Sequence, residues 1–278
     1  MGKNADFLKW IIGFFFLSCS VGAYPQFYDQ NPAVLGKADL LVTYSMLWKE
    51  DTLNRDFQQQ EDMLLLIGSN FSQFVSKNSF MTNLEGRKME KEGRLQEFFS
   101  EVKPGHITRF LFQIYKDHKN SKIIYFGHIV PTRFKYEEEM SEIKWNLGTD
   151  TSHVLDYAAN QAFASYGGRE WVVWYAPALP INDGPYKFSG LPGLILKAYD
   201  TKEDYIFEAI SIEKLKEPTD IEMSERTAVA TTRRNFLKAE DNLRYDIINR
   251  VKEAGVGNEL EQRMARRMLK RNNPIELE

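Results

Sequence analysis

Side chains able to do chemistry are few in this sequence and rarely stand at the spacing that chemistry needs. The four histidines, His106, His118, His128 and His153, show neither His-x-x-x-His nor His-x-His, so no local run supplies a metal site. Ser100, Ser165 and Ser189 lie outside any Gly-x-Ser-x-Gly elbow, which counts against an α/β-hydrolase. No glycine loop ends in Lys-Ser or Lys-Thr, so nothing cradles a phosphate. Cys19 is the one cysteine, and the chain beyond it has no thiol nucleophile, disulfide or Cys-ligated metal. Neither a metal nor a cofactor is expected. Asp183, Lys187 and Arg169 are the ionisable residues nearest the densest motif, and Asp200 follows it. A carboxylate beside a rigid turn can act as a general base. Asp also caps turns through its own backbone, and that simpler role is the one expected here.

That motif runs from Trp174 to Asp200 and holds Gly184-Pro185, Gly190 and Pro192-Gly193. Proline sets φ and glycine permits unusual φ, so the chain must take a defined path between two strands. Leu191, Leu194, Ile195 and Leu196 would anchor that path in the core. The run Gly190-Leu191-Pro192-Gly193-Leu194-Ile195 has no side chain that transfers a proton or binds a metal, and its contribution is shape. Trp171, Trp174, Tyr175, Tyr186 and Phe188 surround it. Core packing is their ordinary role; the alternative is a concave sheet face that holds an apolar ligand or partner. Arg169, Trp171, Trp174, Tyr186 and Lys187 are then the candidate binding residues.

The elements that must position these residues read as strands and hairpins. Asp39–Trp48, Asp62–Gly68 and Phe71–Val75 are β-prone, and Ile107–Asp117 with Lys122–Val130 forms a hairpin in which Phe110, Phe112 and Ile114 alternate with polar neighbours. Val154–Tyr166 meets Arg169–Ala176 across Gly167-Gly168, and Gly193–Asp200 meets Tyr205–Glu213. Lys77–Ser100 reads as an inserted helix, and the acidic run Glu137, Glu138, Glu139 and Glu142 as a solvated loop. After Pro218 the apolar period becomes helical. Thr231–Ala254 is closed by Gly255, and Asn258 opens a second helix whose end is basic (Arg263, Arg266, Arg267, Lys270, Arg271). The expected fold is mainly β with α: one large curved antiparallel sheet, one inserted helix and two carboxy-terminal helices. Residues 24–217 form the sheet domain and 218–278 a helical extension.

The amino terminus has Lys3 and Lys9, an apolar run from Trp10 to Leu17, and Val21 and Ala23 at the positions of an A-x-A-like site. This describes a signal peptide over residues 1–23. The run is too short for a transmembrane anchor of about 20 residues, so no span is expected after cleavage. Phe16-Leu17-Ser18-Cys19 offers a second reading, lipidation at Cys19. A net charge of −3 argues against nucleic acid.

Gly190–Ile195 is letter for letter the signature of the GLPGLI family of exported Bacteroidetes proteins, which the chain resembles. The flanks are similar too: Gly168-Arg169, Pro180-Ile181, Gly184-Pro185-Tyr186-Lys187-Phe188, and the ending Asn272–Leu277. Ala159 stands where members commonly have Cys, so a thiol role does not carry over. The resemblance implies export to the periplasm, the outer membrane or the medium, and no reaction. The functional expectation is a non-catalytic binding or assembly protein of the cell envelope that recognises an apolar molecule or another envelope protein. The alternative is a periplasmic hydrolase using Asp183 with Lys187 or a histidine. Docking of the basic final helix to an outer-membrane machine is a third reading.

Overall fold

The computed structural model describes residues 32–100, 107–129, 131–224, 227–254 and 259–277. The expected leader, the two cap residues Gly255 and Asn258, and His106 lie outside them.

Twelve strands form one sheet. They are β1 (Ala33–Trp48), β2 (Gln59–Gly68), β3 (Phe71–Ser76), β4 (Gln113–Asp117), β5 (Lys122–Ile129), β6 (Thr132–Glu139), β7 (Asn146–Val154), β8 (Tyr157–Tyr166), β9 (Arg169–Ala176), β10 (Leu194–Asp200), β11 (Tyr205–Met223) and β12 (Val229–Ala230). Their order is β12-β6-β5-β4-β3-β2-β1-β11-β10-β9-β8-β7. One meander runs outward from β1 to β6. A second runs inward from β7 to β11, and the two join where β11 pairs antiparallel with β1. Only the two-residue β12 pairs in parallel, against β6.

The central pair bends the sheet. Three register shifts interrupt β1 against β11, and extra residues on one strand kink and twist it. The largest lies between Ala38↔Thr219 and Leu40↔Lys214. Pro218 falls inside it, where no ladder donor is needed, so β11 continues across residues 217 and 218 to Met223. The curl brings opposite ends of the sheet together: the Tyr166 hydroxyl on β8 donates to Glu138 on β6 at 3.2 Å. The expected large curved antiparallel sheet is the observed one.

The insertion over 77–100 is helical, but in two pieces: α1 (Lys77–Lys91) and α2 (Leu95–Ser100). Ser76 caps α1 by accepting from Ser79 N. Gly93 ends it at φ 71°. Its N–H donates to Glu90 O and that of Arg94 to Met89 O, a Schellman closure. Three strands, β6, β7 and the short β12, have no counterpart among the strands expected from the sequence. The acidic run is not a solvated loop. Thr132–Glu139 is β6, in which Tyr136 and Glu138 are buried while Glu137 and Glu139 face out; Glu142 closes a short 3-10 turn. β7 is a polar edge strand with little β-propensity.

Two late helices follow, α3 (Arg233–Ala254) and α4 (Glu259–Lys270). Phe236 roots α3 on the sheet, with ring centroids 5.6 Å from Tyr125 and 5.8 Å from Tyr136. It lies directly over Gly127, where any Cβ would meet its ring. The α4 helix packs on α3, and the chain then returns to the sheet through 271–277. Among the described residues no helix is long and apolar enough to cross a membrane.

Candidate functional site

The motif loop, residues 177–193, fills the inside of the curled sheet. Tyr186, Phe188 and Leu191 are buried among core residues of both meanders, and each large aromatic removes roughly 150–250 Å² from water. Each letter of the motif has a physical reason. Gly190 sits at φ 98°, a conformation that side chains rarely adopt. Pro192 occupies the centre of a three-residue turn closed by Gly193 N donating to Leu191 O at 2.8 Å, which suits its fixed φ. At Gly193 a Cβ would lie 2.4 Å from the Ala176 carbonyl oxygen. Leu194 N donates to Leu179 O and Ile195 N to Asp183 O, pinning the loop to the start of β10. Gly193→Ala is expected to cost about 2–3 kcal/mol, because backbone rather than a flexible side chain must move. Gly36→Ala meets nothing within 4 Å and is the control in urea titrations.

Ion pairs tie this plug to its wall. Asp183 Oδ1 accepts from Lys116 Nζ at 2.6 Å and from Gly184 N at 2.7 Å. Lys116 also donates to the carbonyls of Gly184 and Phe188 at 2.7 and 2.9 Å. Both side chains are fully enclosed, at 1% and 0% exposure. His118 approaches from the half-open rim, its Nε2 3.2 Å from Asp183 Oδ2 and 3.3 Å from Ser72 Oγ. That approach is not aligned as a hydrogen bond, so Asp183 Oδ2 has no hydrogen-bond partner among the described residues. Burial pushes the Asp183 carboxyl up, but Lys116 and His118 outweigh it and hold the group at about 2. Burial also lowers the Lys116 ammonium, against the pull of Asp183.

The pH consequence has a definite sign. The folded value of Asp183 lies below the 3.8 of a free side chain. Its contribution is therefore complete above that value and is lost as pH falls through about 2. Wild-type protein is expected to lose about 2 kcal/mol more over that window than Asp183→Asn does, measured by urea unfolding at each pH.

Lys187 anchors the other end. Its Nζ lies 2.6 Å from Glu138 Oε2 on β6, 2.6 Å from Glu276 Oε1 near the carboxy terminus, and 2.9 Å from the Tyr136 hydroxyl. Arg233 of α3 meets Glu276 at 2.5 Å and Glu138 at 3.5 Å. Burial raises the Glu138 carboxyl despite Lys187. For Glu276 burial also pushes up, but Lys187 and Arg233 prevail and lower it. Arg169 opens β9 and binds in three directions. It pairs with Asp200 at 2.9 Å, donates to Asn273 Oδ1 at 2.7 Å, and donates to the carbonyls of Ile275 and Pro274 at 2.9 and 2.6 Å.

Of the five candidate binding residues, Arg169, Trp171, Tyr186 and Lys187 are thus buried with internal partners. The Trp171 indole donates to Tyr166 O. Only Trp174 lies on the outer face, half-buried. The concave face is occupied by the chain's own loop, with Tyr186, Phe188 and Leu191 in the core. Asp183 and Lys187 do not share a site; each has its own cage.

Lys116, Glu138, Arg233 and Glu276 escaped the sequence reading. The row Phe110, Phe112, Ile114 continues at Lys116, so alternation alone put that lysine inward. Glu138 follows Phe134 and Tyr136 in the same way. Among the described residues no three His, Cys, Asp or Glu side chains converge as a metal requires.

Residues 167–197, from the Gly167-Gly168 turn into β10, match the family described as "Protein of unknown function (Porph_ging)". Solved structures of PNGF-II are similar at 14% identity. The one in space group P21 has a TM-score of 0.47 and covers 72% of this chain and 32% of that one. The one in space group C2 has a TM-score of 0.49, with 73% and 32% covered. The chain therefore spans about a third of the PNGF-II chain. No curated protein sequence matches it.

Proposed function

We propose that this chain is an exported, GLPGLI-type protein of the cell envelope that binds another envelope protein through the outer face of its sheet and performs no reaction. The reading rests on one observation. A row of apolar side chains crosses five neighbouring strands in register, Phe163–Val172–Tyr199–Ile206–Leu47, and all but Val172 keep part of their surface open. Contiguous exposed apolar surface of this kind favours a protein partner. The motif loop lies on the inner face, where Tyr186, Phe188 and Leu191 are buried, which favours the outer face as the binding surface. Export is supported by the leader-like residues 1–23, and mass spectrometry of the mature amino terminus distinguishes cleavage after Ala23 from lipidation at Cys19.

A photo-crosslinking residue at position 199 tests the binding reading in cells. One discrete adduct is expected, abolished by Ile206→Glu, with none from position 202. Equal labelling from both positions overturns it.

The rival, an exported hydrolase, keeps one observation of its own: Ser72, His118 and Asp183 stand in a chain of 3.3 and 3.2 Å. A catalytic relay needs the hydroxyl on one imidazole nitrogen and the carboxylate on the other. Here both fall on Nε2, and Ser72 is fully buried. Fluorophosphonate labelling that disappears in Ser72→Ala would restore the hydrolase.

A further inference from the structure

We propose that the cleft beside Trp174 receives an arginine side chain from an extended partner segment that adds to the sheet along β7. The proposal rests on the protein-binding reading and names the chemistry of its partner.

The cleft encloses about 260 Å³ on the outer face, between Trp174, Tyr199, Lys197, Glu203 and Glu208 on one side and Ser152–Val154 of β7 on the other. Lys197 and Glu208 stand 2.8 Å apart and neutralise each other. The Glu203 carboxylate has no ion-pair partner among the described residues, so the cleft has one uncompensated negative charge. Trp174 and Tyr199 also line the cleft, and an aromatic ring face attracts a cation at about 6 Å or less. Carboxylate and rings together favour a cation and reject an anion. A guanidinium suits both, because its planar fork pairs with a carboxylate while its face stacks on a ring. Lys197 and Glu208 are part-exposed, and a surface pair of that kind is held by only about 0–1 kcal/mol, so it yields readily to an incoming charge.

The adjoining edge says how the arginine is presented. Among the described residues β7 pairs with β8 alone, which leaves the other row of its N–H and C=O groups open. Edge strands are commonly guarded by charge, Pro or a bulge; in Asn146–Val154 the charge of Asp150 and the register shift both precede Thr151, and Thr151–Val154 contains no Lys or Pro. The register shift between Leu147 and Thr151 leaves Thr151–Val154 as a regular ladder, and Ser152–Val154 of that ladder also line the cleft. A strand added there takes main-chain bonds from the edge and affinity for one side chain from the cleft, as strand-addition complexes do. Neighbouring strands lie roughly 4.8 Å apart, so an arginine on the added strand crosses β7 to the near wall of the cleft, which Ser152–Val154 form, with its guanidinium directed toward Trp174 on the far side.

The probe is a blocked heptapeptide, Thr-Val-Thr-Arg-Thr-Val-Thr, titrated into the whole mature protein and followed by amide shifts in two-dimensional NMR. Shifts confined to 151–154 and the Trp174 indole are expected. Binding should weaken at least ten-fold when the peptide arginine is replaced by glutamate, when alternate peptide nitrogens are methylated, and in Glu203→Gln protein. Equal binding of the arginine and glutamate peptides, or no shift at millimolar peptide, overturns the proposal. If the position-199 adduct forms undiminished in Glu203→Gln, Trp174→Phe protein, the outer face still binds a partner but this cleft is not its anchor.

Discussion

Lys187→Met is expected to lower the unfolding free energy by about 3–5 kcal/mol at neutral pH. Methionine nearly matches the lysine stem in volume, so packing around position 187 changes little. What changes is charge: Glu138 and Glu276 lose the ammonium that stands 2.6 Å from each, and both carboxylates are buried. Arg233 remains against them but is itself part-exposed at 23% and cannot replace a fully enclosed cation. Folded domains are typically stable by only about 5–15 kcal/mol, which leaves little margin for such a loss. The pH dependence separates this cause from poor packing. Burial already raises the Glu138 carboxyl above its usual 4.5, and removing Lys187 raises it further. A folded value above the unfolded one means that the penalty is present above the folded value and eases as pH falls through it. The deficit should therefore shrink as pH is lowered from neutral in urea titrations followed by tryptophan fluorescence. Adding Glu138→Gln and Glu276→Gln should recover most of it, a non-additivity expected of one network. A cost under about 1 kcal/mol, independent of pH, would show that Lys187 is not the keystone of the plug.

Deleting residues 271–278 is expected to abolish cooperative folding. The tail is held by Arg169 through Asn273, Pro274 and Ile275, by the Tyr205 hydroxyl donating to Asn273 O at 2.6 Å, and by Leu277 N donating to Gly167 O at 2.8 Å. Glu276 accepts the charges of Lys187 and Arg233. Without the tail, Arg169 keeps Asp200 but leaves several buried donors unmet, each costing about 1–3 kcal/mol. Lys187 loses one of its two carboxylates at the same time. Calorimetry should show no two-state transition in the truncated chain. Asn273→Ala keeps the tail and removes one anchor at each side, so it should fold with a loss of about 2–3 kcal/mol. An unchanged melting temperature after truncation would mean that the tail is a passenger.

Both expectations concern residues that the sequence presented unequally. Arg169 and Lys187 stand out in the sequence because they flank the glycine-proline run, and there they read as binding residues. The folded chain encloses them, and partners arrive from far along the sequence: Glu138 lies 49 residues from Lys187, and Asn273 lies 104 residues from Arg169. Nothing local in Asn272–Leu277 says that Arg169 will hold it. The acidic run shows the same limit from the other side. Glu137–Glu139 looks solvated because its charges are consecutive, but a strand sends alternate residues to opposite faces, and only Glu138 faces Lys187.

What could be read from the chain alone was periodicity and backbone chemistry. The period of two marked most strands, the switch to a helical period marked the late helices, and Gly with Pro marked a rigid bend. These are properties of neighbours in sequence, set by steric limits on φ and ψ that hold whatever surrounds them. What only the tertiary structure decided was which face curls inward, that the bend plugs it, and which buried charge meets which. Those outcomes depend on contacts between distant segments, and a buried charge is tolerated only where its partner arrives.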